Sequence, residues 1–328
     1  MRSREVAVVV VMALGTAGFI ACGSRTGLPF DEALDVEDDS GKPDVQRPMD
    51  AADEDVIEEP LPPLDASRRD ASRMDCLDAG DTQIYVITED TNELLAFYPP
   101  QGTFRRIGVI ACPTILPPPP NMGVATPFSM AVDRKGVAYI LFNDLHIYRV
   151  STATAACVAT PFRASQLGFN TFGMGFSTNM AGPAETLFVA ADNGSGGTSS
   201  LGSIDVTSFD LSRIGGFTPV VARAELTGTG DGRLFAFYTQ PSTGTEVSYV
   251  GEIDKDNAHV IAADQVPVNQ RGGYAFGFWG GDFYLFTGSP TAAGSIVTRF
   301  RPSDKTTVVV GAYPALIVGA GVSTCAPQ

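Results

Sequence analysis

Phe128-Ser-Met-Ala-Val-Asp133, Arg134-Lys-Gly136 and Val137-Ala-Tyr-Ile-Leu-Phe142 read as strand, turn and strand. Both runs are short, apolar and rich in β-branched or aromatic residues. Gly136 supplies the positive φ that a tight hairpin requires. Asn143-Asp144 then turns the chain into Leu145 to Val150, whose residues alternate between two faces. Ser151 to Ala155 turns again, and Ala156 to Thr160 forms an outer edge. The unit is a small antiparallel sheet of four strands.

The same plan recurs along the chain. The fourth unit reads Glu225 to Thr229, Gly230-Asp-Gly232, Arg233 to Tyr238, Val247 to Asp254 and His259 to Ala262. The fifth reads Tyr274 to Trp279, Gly280-Gly281, Asp282 to Thr287, Ser295 to Arg301 and Thr306 to Val310. The third is looser: Phe172 to Ser177, Glu185 to Ala190 and Ser203 to Phe209, with a Gly/Ser-rich loop over Asn193 to Ser200. Each unit carries a central aromatic: Tyr85, Tyr139, Phe188, Phe235 and Tyr284, spaced 47 to 54 residues apart. That period is one four-stranded propeller blade.

The first unit lacks a strand before Gln83, and the C-terminus holds a spare one, Ile317 to Ser323. Lending the last strand to the first blade closes a ring and removes exposed strand edges. The expected fold is therefore an all-β, five-bladed propeller over residues 76–328, with the central aromatics in blade-to-blade layers. A β-sandwich or an open β domain is the alternative, and a sixth blade follows if the third unit hides an extra hairpin.

Four cysteines fall in the ring, and an even number in an exported chain suggests disulfides. Of three connectivities, ring closure selects Cys76–Cys325, because one precedes the first strand and the other follows the last. Cys112 and Cys157 then bridge neighbouring blades. On the chain-entropy view, the bond closing the whole domain stabilises by about 4 to 5 kcal/mol. No metal is expected: Cys-x-x-Cys is absent, and neither His146 nor His259 has a ligand-type partner spacing.

The N-terminus carries an address. Arg2 and Arg4 precede an apolar core, Val6 to Leu14, too short to span a bilayer. Residues 1–21 thus read as an export signal, and Phe19-Ile-Ala-Cys22 resembles a bacterial lipobox. In that family the cysteine is diacylated and becomes the mature N-terminus; Gly23 after it implies outer-membrane sorting. Cys22-Gly-Ser-Arg-Thr-Gly-Leu28, Phe172-Gly-Met-Gly-Phe176, Gly280-Gly-Asp-Phe-Tyr284 and Val318-Gly-Ala-Gly-Val-Ser-Thr-Cys325 also resemble segments of a group of uncharacterised bacterial lipoproteins with a β-propeller domain. The resemblance implies fold and an envelope location, periplasmic or surface-exposed, and no activity.

Between the two lies an acidic tether, residues 22–75. From Leu28 to Asp75 it holds 16 acids against five bases. So little apolar surface cannot offset chain entropy, which predicts a disordered, extended spacer. The whole chain has a net charge of −15. This argues against nucleic acid, which needs a basic footprint.

The chemistry offered is sparse. No Gly-x-Ser-x-Gly elbow occurs, and Gly228-Thr-Gly-Asp-Gly232 joins two strands rather than opening a helix, so it reads as a hairpin. Asp133 and Glu225, at inner-strand ends, are the candidate acids if the ring is a propeller hydrolase acting on glycans or lactones. Trp279, beside Gly280-Gly281, is a candidate aromatic platform for a sugar or peptide, or else a core residue. The favoured expectation is a monomeric, lipid-anchored, non-enzymatic binding or scaffold propeller without cofactor, whose ligand is a protein, peptide or glycan of the envelope. A purely structural envelope component is a further alternative.

Overall fold

Blades two, four and five begin where a hairpin can form cheaply. Gly136, Gly232 and Gly281 all adopt positive φ, at 75°, 90° and 79°, a region that L side chains enter only with strain. In the computed structural model, which describes residues 76, 82–116, 123–179, 183–192, 199–240, 246–270, 272–289 and 293–328, the strands either side of these turns pair antiparallel. The export signal, Cys22 and the tether lie outside the described residues, as does most of the Asn193 to Ser200 loop.

Five four-stranded sheets result. Blade one combines β1 (Ile84–Thr88), β2 (Glu93–Tyr98) and β3 (Thr103–Val109) with the last strand, β20 (Ile317–Val322). Blade two is β4 (Pro127–Val132), β5 (Val137–Phe142), β6 (Ile147–Ser151) and β7 (Cys157–Ala159). Blade three is β8 (Thr171–Thr178), β9 (Glu185–Asp192), β10 (Ser200–Ile204) and β11 (Leu211–Gly216). Blade four is β12 (Arg223–Gly228), β13 (Leu234–Thr239), β14 (Ser248–Ile253) and β15 (Val260–Val266). Blade five is β16 (Tyr274–Trp279), β17 (Asp282–Gly288), β18 (Ser295–Arg301) and β19 (Thr306–Tyr313). The fold is a five-bladed β-propeller.

Closure is as the spare strand required. β20 pairs antiparallel with β1, Ile84 facing Val322 and Val86 facing Ala320. Cys76 is bonded to Cys325 just beyond that ladder, and Cys112 to Cys157 across the boundary of blades one and two.

The core is a set of layers between blades. The central aromatic of each blade packs toward the next blade along the chain: Tyr85 with Met130 and Ile140, Tyr139 with Phe176, and Phe188 with Leu226 and Leu234. Phe235 meets Phe278, and Tyr284 meets Phe97. Tyr139 and Phe176 meet edge to face at 5.3 Å between ring centres, a favourable aromatic geometry.

Blade three departs from the expected reading. The strand expected at Ser203 to Phe209 is instead β10, which begins at Ser200, followed by a turn. Asp205 causes the break: its carboxylate accepts the main-chain N–H of Thr207 at 2.7 Å and of Ser208 at 2.9 Å. An aspartate that bonds its own backbone two residues on nucleates a turn. Phe209 then takes φ +60° and the chain returns as β11. This hairpin supplies the fourth strand of blade three, so the count stays at five blades.

Candidate functional site

The inner strands β20, β4, β8, β12 and β16 surround the ring's centre, and their sequences are rich in Gly, Ser and Thr. Small residues let the backbones approach. A Cβ on Gly173 would lie 2.0 Å from the Ala224 carbonyl oxygen, and one on Gly321 would lie 2.7 Å from the Val132 nitrogen. Hydrogen bonds then cross from blade to blade. Ser129 Oγ donates to Glu225 Oε2 at 2.8 Å and accepts the Met174 N–H at 3.1 Å, while the Phe278 N–H donates to Thr227 Oγ1 at 3.2 Å. The centre is a packed, hydrogen-bonded belt.

Glu225 is the ionisable group in that belt and is only 3% exposed. Burial drives its carboxyl well above the ordinary carboxylate range, opposed by the bonds from Ser129 and Met174. It also lines a cavity of about 200 Å³ at one end of the belt, with Glu89, Asp192, Arg223 and Tyr274. Arg223 is bonded to Glu246 at 2.6 Å and lies over the Tyr274 ring at 5.6 Å, so its charge is engaged. Burial also raises the Glu89 carboxyl, with Asp90 adding to the effect.

Asp133 belongs to a different cavity, of about 590 Å³ between blades two and three, with Arg134, Tyr139, Arg149 and Glu185. Its Oδ1 accepts the N–H groups of Lys135 and Val137 and so closes the β4–β5 turn. Ser129 and Glu225, each third in its strand, face one another across the belt, and Asp133 stands four residues beyond Ser129. At the rise of an extended strand this is roughly 13 Å, outside the carboxylate spacings of either retaining or inverting glycosidases. The two acids suggested for a hydrolase are therefore not brought together.

Sequence reasoning passed over Glu185. Its Oε1 accepts the Arg134 N–H at 2.8 Å and its Oε2 the Thr324 hydroxyl at 2.9 Å. Burial pushes its carboxyl up to about 7, with Asp133 adding to the rise. Nothing local marks this residue; its partners lie 51 and 139 positions away and meet it only in the folded ring.

Trp279 is drawn into the layer between blades five and one rather than left as a platform. It is partly buried against the cluster that includes Ala326, and its indole N–H donates to the Thr82 carbonyl at 2.8 Å. His146 lies in the turn before β6 rather than within it, its ring held by the Asp144 carbonyl at 2.9 Å, and His259 is exposed at an outer edge. Ser177 and Lys255 are bonded at 3.3 Å, but Ser177 is fully buried and cannot meet a substrate. Among the described residues no cluster of three or more His, Cys, Asp or Glu is arranged to hold a metal ion.

The largest of these cavities, about 810 Å³, was not foreseen. It lies beside blade five and is lined by Asn269, Thr287, Gly288, Thr298, Val309 and Leu316 among others. Asn269 Oδ1 has no hydrogen-bond partner among the described residues.

No family model and no curated protein matches the chain. Among solved structures, a chain from the crystal structure of a nidogen/laminin complex is similar in fold. The identity is 9%, the TM-score 0.47, and the match covers 74% of this chain and 98% of that one. The propeller assignment rests on the strand order, not on this likeness. Among the described residues, no helix is long and apolar enough to cross a membrane.

Proposed function

We propose that this protein is a cell-envelope lipoprotein, anchored through Cys22 in the outer membrane, that displays a binding or scaffold propeller on an acidic stalk. The observation that supports binding over catalysis is the state of the ring's centre. Glu225, the buried acid there among the described residues, is hydrogen-bonded within a packed belt, and Asp133 is held elsewhere by its own turn. A hydrolase needs a positioned acid–base pair open to substrate.

The 810 Å³ cavity is the ligand site in this reading. Its lining is hydroxyl, amide and small apolar groups with one acid, Asp90. That chemistry suits an uncharged extended chain, a glycan or a peptide, held by hydrogen bonds. The test is array binding of the full chain against envelope glycans and peptides, repeated with Thr298→Arg to block the cavity. A ligand lost in the variant supports the site; ligands bound equally by both proteins reject it. Anchoring is tested separately by acyl labelling of wild type and Cys22→Ala, and label retained in the variant rejects lipidation at Cys22.

A further inference from the structure

The two disulfides differ in the chemistry of their neighbours, while Cys76, Cys112 and Cys157 are each partly exposed. Cys112 and Cys157 pack against the apolar layer between blades one and two. Apolar surroundings raise a thiol's pKa, and a high-pKa thiol is a poor leaving group in exchange. Cys76–Cys325 instead faces a guanidinium. Arg134 Nη2 lies 3.3 Å from Cys76 Sγ and 3.9 Å from Cys325 Sγ.

Arg134 is fixed in that position and forms no direct ion pair among the described residues, although the Glu185 carboxyl lies close enough to feel its charge. Nη1 donates to the Pro183 carbonyl, and the main-chain N–H is taken by Glu185. Nε is buried with no hydrogen-bond partner among the described residues. The neighbouring carboxyls, Asp133 and Glu185, are engaged by main-chain N–H groups, Glu185 also by Thr324. A neutral disulfide gives such a cation nothing to pair with, whereas a thiolate does. The guanidinium therefore favours the reduced state and lowers the pKa of whichever sulfur leaves.

We propose that Cys76–Cys325 is an exchange-active disulfide, a site that takes a dithiol reductant, with Arg134 as the residue that positions a cation on the leaving sulfur. Cys76 is partly exposed while Cys325 is buried, so the attack falls on Cys76. A reductant thiolate bonds to Cys76 Sγ, the Cys76–Cys325 bond breaks, and Cys325 leaves with the electron pair as a thiolate beside Arg134. The reductant's second thiolate then attacks its own sulfur in the mixed disulfide and expels Cys76 as a thiolate. Two electrons pass from the dithiol, which ends as a disulfide, and the two protein thiolates take up protons according to pH. The ladder of β1 with β20 holds the closing strand through its own main-chain pairing, from Ile84 with Val322 to Thr88 with Ile317. Opening the disulfide frees Cys76 from the C-terminal segment while the ring stays closed.

The full oxidised chain, with free thiols blocked by iodoacetamide, is exposed to limiting dithiothreitol at pH 7. New thiols are trapped with N-ethylmaleimide and assigned by peptide mass spectrometry. Cys76–Cys325 should open at least about tenfold faster than Cys112–Cys157, which serves as control in the same molecule. At equilibrium it should open at a less reducing poise; a tenfold ratio corresponds to about 30 mV for a two-electron couple. Arg134→Gln should remove most of the advantage without moving Cys112–Cys157, and Arg134→Lys should restore part of it. Equal rates, Cys112–Cys157 opening first, or an unchanged ratio in Arg134→Gln overturns the proposal. Should Arg134→Gln not fold, the wild-type order of the two bridges decides alone.

Discussion

Replacing Glu185 with glutamine tests whether its burial governs stability near neutral pH. The carboxyl belongs at about 7 in the folded ring against an ordinary 4.5. Below pH 4.5 it is protonated in both folded and unfolded chains, and its full contribution to stability is present. As pH rises through 4.5 the unfolded chain releases the proton and the folded one keeps it, so stability falls. The loss is complete once pH passes the folded value near 7. Moving an acid over that interval is worth about 3 kcal/mol, an upper figure for a side chain that is partly exposed. Glutamine cannot ionise, yet it can still accept the Arg134 N–H, and the Thr324 hydroxyl can turn to accept from its amide. Urea unfolding of both proteins, disulfides intact, at pH 4.5 to 8 reads the difference. The two should agree within about 0.5 kcal/mol at pH 4.5 and diverge to about 2 to 3 kcal/mol in favour of Glu185→Gln at pH 8. For a domain of this size that gap is on the order of 5 to 10 °C in Tm. Asp133, also raised by burial, is present in both proteins, and its coupling to Glu185 adds only to the divergence above the range where Glu185 ionises. Parallel curves across the range would refute the account and leave Glu185 as an ordinary surface acid.

Two further outcomes follow from the packed centre. Gly173→Ala forces a Cβ into the Ala224 carbonyl, where no flexible side chain can yield, so blades three and four must separate. Overpacking of this kind costs about 3 kcal/mol or prevents folding, and a wild-type Cm in denaturant would disprove the close approach. Glu225→Gln keeps a bond with Ser129 and should stay within about 1 kcal/mol of wild type at neutral pH, while Glu225→Ala leaves the buried Ser129 hydroxyl without its acceptor and opens a void, and should lose about 2 to 3 kcal/mol. Equal losses in the two variants would mean that Glu225 is held as a charge rather than as a hydrogen-bonding acid.

The repeat carried the architecture because four of the five blades are local objects. Strand, glycine turn and strand are neighbours in sequence, and the central aromatic falls at the same place in each. A side chain every 47 to 54 residues is enough to mark a layer. The closing strand and both disulfides were legible for a related reason: a ring with one strand missing at the start and one spare at the end has one way to close. The misreading in blade three has the same locality in reverse. The Asp205 side chain ended a strand that β-propensity alone would have continued.

What the sequence by itself determined, then, is the period, the ring and its closure, together with the expectation of an exported, lipid-anchored chain. The tertiary structure decided which polar groups meet. Glu225 and Asp133 look equivalent along the chain, yet one is locked in the belt and the other caps a turn. Trp279 reads as either a platform or a core residue along the chain, and in the ring it packs into a blade layer with its indole N–H bonded to the Thr82 carbonyl. Arg134 is an ordinary turn residue until Pro183, Glu185 and the Cys76–Cys325 bond gather around it. The period of a sheet is set by bonds between near neighbours, which sequence displays. The environment of a charge is set by residues brought from 50 to 200 positions away, which only the closed ring assembles.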